Sequence, residues 1–223
     1  MSERVLAVDT TGEFGSLALL DGEQILEEVP IRSPEGFGHI LFEHLERLLA
    51  RHSLSLAAID CFAAASGPGA FTGVRVGLAA IKGLAEATGR PAVAVSNLKA
   101  LAWFGRAPLR ASFEDARRGE IYGAVYDEKL ELVQPEVVAR FPDWLSWLPQ
   151  TGFEFVTTDF GPYRAAVAGT RFEHVPVTLA PRALAGAVGL IALRLYREGR
   201  ASDPAVLDAN YVRRSDAELA WRE

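Results

Sequence analysis

The sequence predicts an α/β protein built as two similar halves. Three observations carry that expectation. The order strand–strand–strand–helix–strand–helix runs through the 223 residues twice, although no stretch of sequence repeats. Strand-like runs with β-branched residues alternate with runs of helical period. Two of the strands, RVLAVD and FEFVTTD, also run out into an aspartate in the same way.

In the first half RVLAVD (4–9) and GSLALLD (15–21) flank the turn TTGEF, and QILEEVPI (24–31) follows a tight DGE turn. The spacing predicts a helix from about 37 to 52, with Leu41, Leu45 and Leu48 at i, i+4 and i+7 and Phe42 and Leu49 beside them. An apolar strand at about 59–65 leads into the loop SGPGAFTG, a helix at about 73–88, the strand PAVAVS and a short helix near 97–104. The second half offers the strands PLRASFED, GEIYGAVYD and KLELVQPEVVA, the helix FPDWLSWL, the strands FEFVTTD and RFEHVPV, and a helix at about 181–198. Domains are therefore expected at 1–105 and 106–223, with the 200–223 tail packing back on the first.

Hydrophobic residues make up 49% and charged residues 23%, enough for packed cores, and the net charge of −6 argues against autonomous nucleic-acid binding. No apolar run reaches the roughly 18 residues of a membrane span. The N-terminus has no signal-peptide layout and the lone Cys61 allows no internal disulfide, so the expected location is cytoplasmic and no membrane is involved. His39 and His44 are five apart and point away from each other on a helix, and His52 and His174 are isolated, so no metal site is expected.

Each chemistry-bearing motif has two readings. The loop with Gly67, Gly69, Thr72 and Gly73 offers helix N–H groups to an anion, with Thr72 as N-cap, or it is close packing of loop on helix. It lacks the Lys-Ser/Thr of a P-loop and the offsets of a dinucleotide fingerprint. The helix behind it carries an apolar stripe (Val74, Leu78, Ile81, Ala85) and a small-residue stripe (Gly73, Gly77, Ala80, Leu84), with Arg75 and Lys82 on one face. It is buried either inside one domain or against another helix pair. Asp9, Thr10 and Thr11 fit a metal-phosphate strand end or a β-turn with side chains bonding the backbone, and the turn reading is preferred. Asp115, Arg117, Arg118 and Glu120 can meet a phosphate or a partner carboxylate, or pair across a turn. No nucleophile with a neighbouring base emerges, so no catalytic residue is assigned.

In chain order, LAVDTT, GPGAFTGVRVGLAAIKGLA, VSNLKALA, DARRGEIYGAVYD and ANYVRRSDAE resemble the bacterial TsaB (YeaZ) family over essentially the whole chain. Departures are Ala70 where the family usually has serine, Ile40 and Leu41 after His39 in place of a Ser-Glu pair, and Glu114 where a hydrophobic residue is commoner. The resemblance implies two actin-like, ribonuclease-H-like domains of the ASKHA ATPase type, each with a mixed sheet, that have lost independent catalysis. It further implies a non-catalytic subunit of tRNA threonylcarbamoyladenosine biosynthesis, the modification of the adenosine beside the anticodon. The expected partners are a TsaD-like transferase and a TsaE-like P-loop ATPase, with a homodimer when alone and tRNA met only through the complex. No cofactor is expected, ATP and metal being used by partner subunits. The two helices of the first domain would carry the interface, through His39, Leu41, Phe42, Leu45, Leu48, Leu49, Val74, Arg75, Gly77, Leu78, Ile81, Lys82 and Ala85. The glycine loop would be a residual nucleotide loop. The rivals are an active phosphotransferase of the same fold (a sugar or acetate kinase), with TTDFGP (157–162) as its second phosphate loop, and a peptidase.

Overall fold

The computed structural model describes residues 2–213, which divide into two compact units. Of the described residues, unit 1 comprises 2–97 and 182–210, and unit 2 comprises 98–181 and 211–213.

Unit 1 is built on the sheet β3-β2-β1-β4-β5. Its strands are β1 (Arg4–Asp9), β2 (Phe14–Asp21), β3 (Gln24–Arg32), β4 (Cys61–Ala65) and β5 (Ala92–Val95). The first three form an antiparallel meander, whereas β4 runs parallel to β1 and β5 parallel to β4, so the sheet is mixed. Alternation along the strands sends side chains to two faces. Leu6, Val8, Leu17, Leu19, Phe62 and Ala64 share one apolar core with the inner faces of α1 (Leu41–Arg51) and α2 (Phe71–Thr88). Ala7 and Leu20 point to the other face and meet α6 (Ala185–Arg197), where a Cβ on Gly189 would stand 2.4 Å from Leu20 Cδ1.

The seating of α6 corrects the expected domain division. The helix predicted to close the second domain covers the first sheet instead, and the boundary falls after Asn97 rather than at 105. Ser16 Oγ accepts the N–H groups of Leu184 (3.1 Å) and Ala185 (2.9 Å), and Glu28 Oε1 accepts Gly186 N–H (2.8 Å). Sheet residues thus satisfy helix donors that have no partner within the helix. At the other end Arg197 pairs with Glu3 (3.0 Å) and Glu23 (2.9 Å). Of the tail expected to fold back on the first domain, residues 201–210 do so; residues 214–223 lie outside the described residues.

Unit 2 repeats the frame. Its sheet is ordered β10-β9-β6-β7-β8, from β6 (Leu109–Arg117), β7 (Glu120–Asp127), β8 (Leu132–Arg140), β9 (Phe153–Thr157) and β10 (Val177–Leu179). Again three antiparallel strands are followed by parallel ones. The expected strand RFEHVPV begins only at its last residue, as β10 starts at Val177. The core is aromatic: Phe113 lies 5.0 Å from Tyr163, 5.1 Å from Phe141 and 5.6 Å from Trp144, ring centre to ring centre. Gly123 in β7 makes room for Trp144, whose Cε2 would stand 2.6 Å from a Cβ there. The helices are short, with α3 (Asn97–Ala102) at the boundary, α4 (Phe141–Trp147) and α5 (Arg164–Val167). No helix among the described residues is long and apolar enough to cross a membrane.

Candidate functional site

In an open α/β sheet ligands bind outside the carboxyl ends of the parallel strands. In unit 1 these ends are Asp9, Ala65 and Val95, and they are followed by the turn 10–13, the loop 66–70 and Asn97. The motifs singled out in the sequence therefore meet at one edge.

They meet by bonding to one another. Asp9, 2% exposed, accepts both the N–H (2.9 Å) and the hydroxyl (2.7 Å) of Thr11 on one carboxylate oxygen. Burial pushes its carboxyl up from the usual range, and the bonds from Thr11 and Asn97 pull it part of the way back. Asn97 Nδ2 donates to the Thr11 hydroxyl, while its Oδ1 accepts Gly67 N–H (3.0 Å) and its N–H reaches Gly67 O (2.9 Å). Ala70 N–H donates to Thr11 O (2.6 Å), and the Thr10 hydroxyl donates to Gly73 O (2.7 Å).

The glycines make this approach possible. A Cβ on Gly73 would stand 2.0 Å from Thr10 O, one on Gly69 2.6 Å from Thr11 O, and one on Gly77 2.6 Å from Thr10 Oγ1. No side chain fits at those distances, so the turn after β1 lies flat on the loop and on the first turns of α2. Of the two readings open for this loop, the arrangement is that of close packing. Thr72 does not cap α2, as the sequence led one to expect. Ala70 holds the N-cap position and its carbonyl takes Val74 N–H (2.9 Å), which puts Thr72 inside the helix and exposed.

The residues expected to carry a partner interface divide sharply. Leu41, Leu45, Leu48 and Leu49 of α1, and Val74, Gly77, Leu78, Ile81 and Ala85 of α2, are buried within unit 1, so their apolar stripe covers the chain's own sheet rather than a partner. His39, Phe42 (56% exposed) and Arg75 remain outside. Lys82 turns aside to donate to the carbonyls of Ala205 (3.1 Å) and Leu207 (3.0 Å). The exposed stripe of α2 runs through Thr72, Arg75, Ala79 and Gly83, with the Arg75 guanidinium 3.7 Å over the ring of Phe71. The predicted helix began two residues late and so left out Phe71, and the small-residue stripe drawn through Gly73, Gly77, Ala80 and Leu84 passed beside the exposed Ala79 and Gly83.

In unit 2, Asp115 accepts Arg117 N–H (2.8 Å) and lies 3.6 Å from its guanidinium, while Glu120 pairs with Arg213, which also donates to Ala116 O (2.8 Å). Arg117, Arg118 and Gly119 form a hairpin tip of three left-handed residues (φ 65, 57 and 76). In TTDFGP, Asp159 accepts Gly161 N–H (2.8 Å) and Phe160 is buried, and only a 3-10 turn and the four-residue α5 follow. Burial pushes the Cys61 thiol up to about 12, which leaves it inert at neutral pH. Among the described residues no three His, Cys, Asp or Glu side chains gather as metal ligands.

Residues 29–160, more than half the chain, match the family described as TsaD, tRNA N6-adenosine threonylcarbamoyltransferase. A TsaB protein of Bacillus subtilis, described as a tRNA threonylcarbamoyladenosine biosynthesis protein, is 29% identical over 98% of both chains. The chain belongs to the TsaB (YeaZ) branch of the TsaD family. Two solved structures from Pseudomonas aeruginosa agree in fold. YeaZ superposes with a TM-score of 0.75 at 26% identity, over 94% of this chain and 99% of that one. A second, titled as similar to the peptidase YeaZ, reaches 0.78 at 27% identity over 95% and 100%. The TsaB fold, two similar actin-like domains with mixed sheets, is the one described above.

Proposed function

We propose that this chain is the non-catalytic subunit of tRNA threonylcarbamoyladenosine biosynthesis, which binds and activates a TsaD-like transferase and helps form the docking site of a TsaE-like P-loop ATPase. One observation carries the reading. The edge where an actin-like enzyme would receive a phosphate is occupied by the chain's own Thr10 and Thr11, bonded to Asp9, Ala70, Gly73 and Asn97. A phosphotransferase would also need a second phosphate loop, and TTDFGP closes on its own aspartate. Family membership supplies the pathway. ATP and metal are then the business of the partner subunits, the complex works in the cytoplasm, and tRNA is met only through it. Any anion binding at the glycine loop is residual.

The docking face is the exposed remainder of the two helices: Phe42 on α1, with Phe71, Arg75, Ala79 and Gly83 on α2. The same face would pair two copies when the transferase is absent. Phe42 is 56% and Phe71 41% exposed, so removing what remains of them from water on docking would stabilise the complex by about 1 kcal/mol each. A Cβ on Gly83 meets nothing within 4 Å, so the isolated chain has room for a side chain there. Gly83→Arg therefore leaves the fold intact, gaining roughly 0.5–1 kcal/mol of helix propensity, and obstructs a helix packed on the stripe.

The deciding experiment reconstitutes the modification. Unmodified tRNA, threonine, bicarbonate, ATP, the adenylate-forming enzyme, the transferase and the P-loop ATPase are combined with wild-type chain, with Gly83→Arg, or with neither. Threonylcarbamoyladenosine is expected with wild type alone. Product in the absence of the chain would remove the subunit reading, and full product with Gly83→Arg would move the interface off α2.

A further inference from the structure

We propose that residues 201–210 form a strap whose seating, governed by Lys82, holds the glycine loop of unit 1 in its closed arrangement. Nothing in the docking reading requires this, and the inference concerns the chain by itself.

The segment is fastened at four separate places. Ala92 and Ser202 exchange both backbone hydrogen bonds (3.0 Å each), which adds one rung beyond the edge strand β5. Asp203 accepts Ala205 N–H (2.8 Å) and so starts the 3-10 turn Pro204–Val206 on the flank of α2. Lys82, from the middle of α2, donates to the carbonyls of Ala205 and Leu207, the two that bracket the exposed Val206. Leu207 is buried in the core shared by α1 and α2. The far end reaches the glycine loop, where Asn210 N–H donates to Ser66 O (2.8 Å) and its Nδ2 to Gly67 O (3.4 Å).

The contact at the loop is tight. A Cβ on Gly67, which has φ +96, would stand 3.1 Å from Asn210 O, so strap backbone lies against loop backbone. The loop is thereby clamped between the turn after β1 on one side and residue 210 on the other. Between its ends only Pro204 and Leu207 are buried. Asp203, Ala205, Val206 and Asp208 are exposed, and an open hollow of about 360 Å³ lies between its start and the last turn of α2, beside Glu86, Gly89 and Arg90. A segment with few buried side chains opens at a small fraction of the free energy of global unfolding. Its attachment then depends on a few discrete bonds, of which the ammonium of Lys82 makes two at once.

Amide hydrogen exchange of the full chain tests this. Lys82→Met keeps the aliphatic stem and removes the donors. Exchange at 203–210 and at 66–70 is expected to accelerate together, on the order of tenfold, with β6, β7 and β9 unchanged. Lys82→Arg, which keeps a multiple donor, should restore most of the protection. Acceleration at 203–210 alone, or at neither segment, would overturn the proposal. Should Lys82→Met loosen all of unit 1, Asn210→Ala decides, because its side chain donates to Gly67 O at the loop end and leaves Lys82 and its two carbonyls in place. Faster exchange at 66–70 with β4 unaffected supports the strap, and unchanged exchange at 66–70 refutes it.

Discussion

The two units use one frame and finish it differently. Each has an antiparallel meander of three strands followed by two parallel strands, and in each the first strand turns back near an aspartate. In unit 1 that aspartate is Asp9, buried and spent on Thr11; in unit 2 it is Asp115, exposed on a hairpin tip beside Arg117. The difference follows from what comes after the fourth strand. In unit 1 a glycine loop and an 18-residue helix advance over the turn, and the turn must bury itself beneath them. In unit 2 only a 3-10 turn and a four-residue helix follow, so the equivalent hairpin stays in solvent. An acid at a strand end therefore has no fixed meaning. The packing above it decides whether it is a buried structural anchor or a surface charge.

Glycine substitutions test this contrast most severely. Gly73→Ala forces a methyl group against the carbonyl of Thr10, whereas Gly119→Ala meets open space and suffers only from its φ of 76. Urea denaturation should show a loss of about 3 kcal/mol or more for the first and about 1 kcal/mol for the second. Equal losses would mean that the turn after β1 yields, and that the loop is less closed than its hydrogen bonds indicate.

The aspartates come next. Asp9→Ala strands the N–H and hydroxyl of Thr11 in a buried place and should cost roughly 2–4 kcal/mol, while Asp115→Ala should stay within about 0.5 kcal/mol. Thermal unfolding of the two variants side by side makes the comparison.

A smaller effect separates the units by pH. The folded protein holds the Asp9 proton more tightly than the unfolded chain, whose value is 3.8, because burial raises the carboxyl. Stability from this group is present at low pH and is lost as pH rises through the folded value; Asp9→Asn should remove that slope. Glu154 in β9 behaves oppositely. Burial pushes it up, but the Thr178 hydroxyl, the N–H groups of Ala107 and Arg106, and the charge of Arg110 together hold it below 4.5. Its contribution is present above 4.5 and is lost as pH falls through the folded value, and Glu154→Gln should flatten the acid limb. Denaturation midpoints between about pH 3 and 7 for wild type and both variants should give slopes of opposite sign. A change of the opposite sign is expected for Arg118→Gly, which relieves a left-handed arginine and should gain at most about 1 kcal/mol in urea denaturation.

Much of the frame was legible because period and punctuation are local. The meander strands and the Leu41–Leu45–Leu48 face both follow from spacing a few residues wide. The site was legible as a set of motifs, Asp9-Thr10-Thr11 and the glycine loop, and Asp9 makes the side-chain-to-backbone bond of the turn reading. Asn97 went unnoticed, since nothing near it in sequence marks a side chain that will bridge Thr11 and Gly67.

The amino-acid sequence by itself determined which segments are strands and helices, that they recur in one order twice, and that α1 and α2 must bury a broad apolar face. Only the tertiary structure decided what covers each face. Hydrophobic burial is non-directional, so an apolar stripe states that it must be covered and not by what. For that reason the leucines assigned to a partner lie on the chain's own sheet, and a helix near the C-terminus belongs to the first sheet rather than the second. Specificity came from directional contacts between residues far apart in the chain: Ser16 and Glu28 at the start of α6, Thr10 and Thr11 on the glycine loop, and Lys82 on the strap.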